Sequence, residues 1–174
     1  MTDELDWAAP IEPGHGMLGL TLGAALDAVK ARMESHCGPL RGAVTFPNSP
    51  RLIVDDGKEG VILLRAADLG NLTYAWQDVL VRLIFEKDVL ASIVVLGVRG
   101  DETFAYRGKI RSKVGLGSRV ADLSEFGSLA YDDAEEVFIC SGLDGLEVGG
   151  SSACDLSIDP LQVVTFVRVF CRAL

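Results

Sequence analysis

The stretch Gly19–Met33, GLTLGAALDAVKARM, constrains the fold most, because the chain contains its pattern twice. Leu20 and Leu22 alternate as in a short strand, Gly23 offers a hinge, and Leu22, Leu26, Val29 and Met33 follow at spacings of four, three and four. Those spacings place apolar side chains on one face of a helix. Val114–Gly127, VGLGSRVADLSEFG, repeats the arrangement: Val114 and Leu116 alternate, Gly117 follows, and Leu116, Val120, Leu123 and Phe126 form a second stripe. Aligning the two glycines gives an offset of 94 residues (117 minus 23). That is longer than the roughly 20–50 residues of a solenoid repeat, so the pattern predicts two tandem lobes.

Most of the remaining chain has a period of two. Strands are expected near Ala43–Phe46, Leu52–Val54, Val61–Arg65, Leu72–Gln77, Val79–Glu86 and Ala91–Val98. The turns between them are marked by Pro47-Asn48, Asp55-Asp56-Gly57, Leu69-Gly70-Asn71 and Glu86-Lys87-Asp88. Beyond the polar break Gly97–Asp101, further strands are expected at Phe104–Arg111, Val137–Cys140, Gly145–Val148 and Gln162–Cys171. Both halves close on similar strands, Asp88–Val95 and Asp159–Phe166, at an offset of 71 (159 minus 88). The expected fold is α+β, two unequal tandem lobes, each a short helix packed on an antiparallel sheet. The N-terminal lobe spans residues 1–100 and the C-terminal lobe 101–174.

Apolar residues make up 49% of the 174 and charged residues 24%, as in an ordinary globular chain. Twenty-five acidic against 16 basic side chains give a net charge of −9, which disfavours nucleic acid and anionic membrane as partners. The acidic start MTDELDWAAP lacks the order of a secretory signal, and no run reaches the ~18 apolar residues of a membrane helix. With four scattered cysteines and no C-x-x-C, a cytoplasmic protein with free thiols is expected.

Little in the chain suggests chemistry of its own. Gly14, Gly16 and Gly19 spell G-x-G-x-x-G, but a proline-rich segment precedes them and no βαβ unit follows, so no dinucleotide cofactor is expected. The two histidines, His15 and His36, have no metal-site spacing, and the serines lack a nucleophile setting. No catalytic, cofactor or metal residue is therefore assigned. The densest polar group is Tyr131, Asp132, Asp133, Glu135 and Glu136, with Asp55 and Asp56 forming an acidic turn in the other half. These residues are candidates for contact with a basic partner. Tyr74 and Trp76 are candidate aromatic anchors on the wet face of the sheet.

Four segments carry a family resemblance: Tyr106-Arg107-Gly108-Lys109-Ile110, Val114-Gly115-Leu116-Gly117-Ser118, Tyr131-Asp132-Asp133, and Gly142-Leu143-Asp144-Gly145-Leu146-Glu147. Together they resemble motifs of small bacterial immunity proteins encoded beside polymorphic toxins, which carry Y-x-G-K-I, I-G-x-G-S, an acidic turn and P-G-L-x-F. The chain departs from the last motif, with Asp144 at the usual proline and Val148 near the usual phenylalanine. The helix-on-sheet unit is also similar to the β-lactamase inhibitor protein and to outer-membrane assembly lipoproteins. The resemblance implies tandem lobes of helix packed on antiparallel sheet and a protein that binds one toxin. The leading reading is non-catalytic occlusion of that cognate toxin's active site. The missing signal peptide suggests a toxin acting in the cytosol, such as a nuclease or an NAD-hydrolysing or ADP-ribosylating enzyme. A non-catalytic small-molecule-binding or assembly module is the alternative, and a small hydrolase the third reading.

Overall fold

The computed structural model describes residues 5–70, 76–98 and 100–171. Two short strands, β1 (Gly16–Met17) and β2 (Leu20–Thr21), form a hairpin ahead of the helix α1 (Leu26–Cys37). Five strands follow: β3 (Ala43–Val44), β4 (Leu52–Lys58), β5 (Val61–Ala66), β6 (Val79–Glu86) and β7 (Val89–Leu96). The strand expected at Leu72–Gln77 falls largely outside the described residues, and Trp76 and Gln77 lie in a turn. The second half has a 3-10 helix at Val120–Glu125 and four strands: β8 (Leu129–Asp132), β9 (Val137–Cys140), β10 (Leu146–Gly150) and β11 (Val164–Phe170).

Strands β3 to β11 make one antiparallel sheet in the order β3-β4-β5-β6-β7-β11-β10-β9-β8. This overturns the expected two helix-on-sheet lobes. The closing strands of the two halves pair with each other, Leu96 opposite Phe166 through Ser92 opposite Phe170, so both halves share one sheet. The protein is mostly β, with one α-helix among the described residues.

The second predicted helix is instead the six-residue 3-10 helix. Composition accounts for the difference. α1 is rich in Ala, Lys, Arg and Met, which lose little on joining a helix, whereas Val120-Ala121-Asp122-Leu123-Ser124-Glu125 offers Val, Asp and Ser and then meets Gly127. Gly127 sits so close to the chain at Gly142 that a Cβ would lie 2.6 Å from its nitrogen. α1 ends on Gly38, which takes φ +73° and donates its N–H to Glu34 O at 2.8 Å.

The repeated lead-in to each helical segment is built from equivalent backbone hydrogen bonds. Gly23 N–H donates to Leu90 O at 2.8 Å and Gly117 N–H to Val164 O at 2.9 Å. Leu26 and Val120 donate likewise to Asp88 and Gln162, while Leu90 and Val164 donate back to Ala24 and Ser118. Both glycines take positive φ, +88° and +81°, where a side chain is strained. These bonds equate Leu90 with Val164, an offset of 74 (164 minus 90) in place of the 71 read from the sequence.

A segment near the N-terminus straps the second half of the chain. Trp7 is 1% exposed, donates its indole N–H to Ala105 O at 3.2 Å, and meets the Tyr106 ring edge-on with centroids 5.9 Å apart. The Tyr106 hydroxyl accepts the Leu18 N–H at 3.0 Å and donates to Ala9 O. Ile11 bridges Ile110 in parallel, so the strand expected at Phe104–Arg111 is an extended partner of the strap rather than a member of the sheet.

Candidate partner-binding surface

Cross-strand register sorts the sheet into two faces, because directly opposed residues share a face. One row runs Val54, Leu64, Val81, Val95, Val167, Val148, Phe138, Tyr131 across eight strands. It faces the core together with Trp7, Met33 and Val120. The adjacent row points the other way and reads Asp55, Leu63, Arg82, Val94, Arg168, Glu147 across six strands. No helix of the described chain lies on this second face, where partly exposed Ile84, Val94, Leu96, Phe166 and Phe170 alternate with arginines.

The three arginines of that face differ in a way that matters. Arg65 donates to Asp55 at 3.0 Å and to Asp78 at 2.9 Å, and its guanidinium lies 4.9 Å from the Trp76 ring centroid. Arg168 donates to Glu147 and to Ser92 Oγ, both at 3.0 Å, and sits 5.0 Å from the Phe170 ring centroid. Arg82 lies between these two satisfied clusters, two strands or about 10 Å from Arg168. It is exposed and has no hydrogen-bond or ion-pair partner among the described residues.

The residues singled out from sequence do not converge. Asp55 and Asp56 are engaged inside the chain: Asp55 with Arg65 and the Gly57 N–H, and Asp56 with Lys30 of α1 at 2.7 Å. Those contacts hold both carboxyls below their ordinary range. The Tyr131–Glu136 segment is the β8–β9 hairpin, at the opposite edge and the opposite end of the sheet from β4, seven strand spacings or about 33 Å away. Tyr131 belongs to the core row and packs on Phe138 at 4.9 Å, and Asp132 accepts the Ala134 N–H to close the turn. Asp133, Glu135 and Glu136 are left exposed. Trp76 is 60% exposed beside Arg65, while Tyr74 lies outside the described residues.

The open-face arginines are hard to recognise in the sequence because their significance depends on register across distant strands. The apolar alternation of Val79–Glu86 does place Arg82 on the wet face. Only the pairing shows which arginines find carboxylates and which does not.

Several motif residues serve packing. A Cβ at Gly108 would lie 2.1 Å from Ala9 O, at Gly115 2.6 Å from Gly108 O, and at Gly145 2.5 Å from Gly14 Cα. The G-x-G-x-x-G glycines build the β1–β2 hairpin and its approach to Gly145, not the mouth of a helix. Among the described residues no three His, Cys, Asp or Glu side chains are grouped to hold a metal. No helix of the described chain is long and apolar enough to cross a membrane. All four cysteines are free thiols.

No family model and no curated protein matches the chain. Among solved structures, the uncharacterized protein YfeY from Escherichia coli is similar over 94% of this chain and 99% of its own, with a TM-score of 0.49 and 16% identity.

Proposed function

We propose that this protein acts by binding a partner protein on the open face of its sheet, and that its partner is a toxin whose action in the cytosol it blocks. The observation that carries the reading is Arg82, an unpaired guanidinium at the centre of a partly apolar face. Arginine and aromatic side chains dominate the energetics of protein interfaces, and a cation ringed by apolar side chains gains most when a partner carboxylate excludes its water. Trp76 and Phe170, stacked on the flanking arginines, supply rigid apolar area on either side. The resemblance of four segments to immunity-protein motifs favours a toxin over other partners.

The test is co-expression with the product of the adjacent gene. The wild-type chain is expected to restore growth and to co-purify with that product in fixed ratio. Arg82→Glu, with an unchanged melting temperature, is expected to lose both. Binding that tolerates Arg82→Glu would remove the open face from the interface. A second reading, a small-molecule-binding module, is favoured by a cleft of about 1050 Å³ lined by Asp101, Glu102, Arg107 and Lys109 and by residues 115–118 and 163–165.

A further inference from the structure

Ile158 and Leu161 are used neither by the core nor by the sheet face. They are 75% and 64% exposed, above every other large apolar side chain of the described chain, and Val163 beside them is 37% exposed. They sit on the connection between β10 and β11, and that connection is firmly built. Gln162, 1% exposed, anchors it from below, accepting the Ser152 N–H at 3.3 Å and donating to Cys154 O at 2.7 Å. Ser152 Oγ donates to Asp159 at 2.6 Å, Asp155 accepts Ser157 N–H at 2.9 Å, and Asp159 accepts Leu161 N–H at 3.2 Å. A buried glutamine therefore holds a hydrogen-bonded loop with its two aliphatic tips in water. Such pre-organisation lowers the ordering cost of binding, and the tips forgo their burial free energy until something covers them.

The surroundings identify what covers them. From residue 120 to residue 167 the chain contains ten carboxylates and no lysine or arginine, although the whole chain carries only −9. The β8–β9 turn leaves the same end of the sheet as this loop, since β9 starts where β10 ends, Phe138 opposite Val148. Its Asp133, Glu135 and Glu136 and the loop's Asp155 put negative charge at that end of the sheet, while Arg119 pairs with Val163 at the loop's far end. Partial desolvation, and after it the negative charges of Glu136 and Asp133, hold the Tyr131 phenol above its usual range, with Cys154 of the loop near enough to add to the shift. This charge repels an anionic bilayer and complements a cationic protein surface.

We infer that the Ser151–Val163 loop is an insertion element: Ile158 and Leu161 fit into an apolar pocket on the partner whose rim carries lysine or arginine, with the carboxylates of the β8–β9 turn against that rim. The inference rests on the partner-binding reading and adds a second point of contact to it.

The experiment measures association of the adjacent-gene product with the full chain and its variants. Wild-type binding tests the partner-binding reading, and its absence would fail that reading alone. Given binding, Ile158→Ser with Leu161→Ser is expected to raise Kd by about tenfold or more, mainly through faster dissociation, with an unchanged melt. Asp133→Asn, Glu135→Gln and Glu136→Gln together are expected to slow association and flatten its salt dependence while leaving dissociation nearly unchanged. Amide exchange is expected to show residues 151–163 protected in the complex. An unaltered Kd in the serine variant, protection confined to the sheet face, or retention of the chain on phosphatidylcholine vesicles through Ile158 and Leu161 would each overturn it.

Discussion

A side chain has nowhere to go at Gly108: its Cβ would lie 2.1 Å from the Ala9 carbonyl oxygen and 2.5 Å from the Tyr106 ring. Gly117 is different, with φ +81° and nothing within 4 Å of an added Cβ. Gly108→Ala should therefore displace the N-terminal strap and cost about 3 kcal/mol, the upper part of the overpacking range. Gly117→Ala should cost only about 1 kcal/mol of left-handed strain. Urea midpoints of the two variants check this, and equal shifts would mean that the strap yields. Tyr106 closes the same strap, and burial raises its pKa well above the ordinary tyrosine range, so its hydroxyl stays available to both Leu18 N–H and Ala9 O. Tyr106→Phe leaves the buried Leu18 N–H unpaired and should cost roughly 1–3 kcal/mol by the same measurement. Sequence alone marks Tyr106, Gly108, Gly115 and Gly117 as a signature, but it does not separate recognition from close packing. The distances that decide are set by Ala9 and Leu18, almost a hundred residues away.

Elements with a strong local period are readable in the sequence, and Val79–Glu86 and Val137–Cys140 lie where the alternation puts them. β8 is hidden there, because its Leu129–Asp132 runs into the acidic turn and shows no clean period. The second helical stripe misleads for a reason present in the sequence: Leu116, Val120, Leu123 and Phe126 settle to steps of three, the period of a 3-10 helix. Val120 is nevertheless fully buried, whereas Leu26 is only partly so. Val120→Ala should thus cost about 2 kcal/mol and Leu26→Ala less, contrary to the equal roles their matched positions suggest. Urea midpoints again decide, and equal losses would restore the symmetry. α1 is further tied to the sheet by Lys30 and Asp56, whose pair sets a pH dependence. The Asp56 carboxyl lies below its ordinary 3.8 because of Lys30, so its stabilisation is full above that value and is lost as pH falls through the lower folded pKa. Lys30 lies above its ordinary 10.5, mainly through its hydrogen bond to Asp56, so that contribution holds below 10.5 and is lost as pH rises through the folded value. The pair is half in water, so the effect stays below about 1 kcal/mol. Asp56→Asn should flatten both limbs of a plot of melting temperature against pH, and unaltered limbs would show that the pair contributes nothing.

At the scale of the whole molecule, two meanders, each led in by a positive-φ glycine and a helical segment held by equivalent backbone hydrogen bonds, are joined edge to edge into one sheet. Local sequence contains both lead-ins but not the joint, because nothing in a single strand states which edge it will meet. The joint is β7 with β11, reinforced by the strap that carries Leu5–Ile11 from the first half onto Ala105–Ile110 of the second. If residues 1–100 were an independent lobe, removing 101–174 would leave it folded. In this structure the removal strips five opposed pairs from β7 and exposes its edge, and it uncovers Trp7 and Ile11, which are 1% and 2% exposed in the intact chain. An unpaired, apolar central strand is a template for aggregation, and the strap loses the carbonyls and ring that satisfy it at Ala105, Tyr106 and Lys109. The fragment 1–100 should therefore lack a cooperative thermal transition and should aggregate, as followed by circular dichroism and light scattering. Adding fragment 101–174 during refolding should restore the transition, because the two pieces re-form one sheet. A monomeric fragment 1–100 with its own sharp melt would show that the N-terminal meander is sufficient by itself and that β11 merely docks on a finished edge.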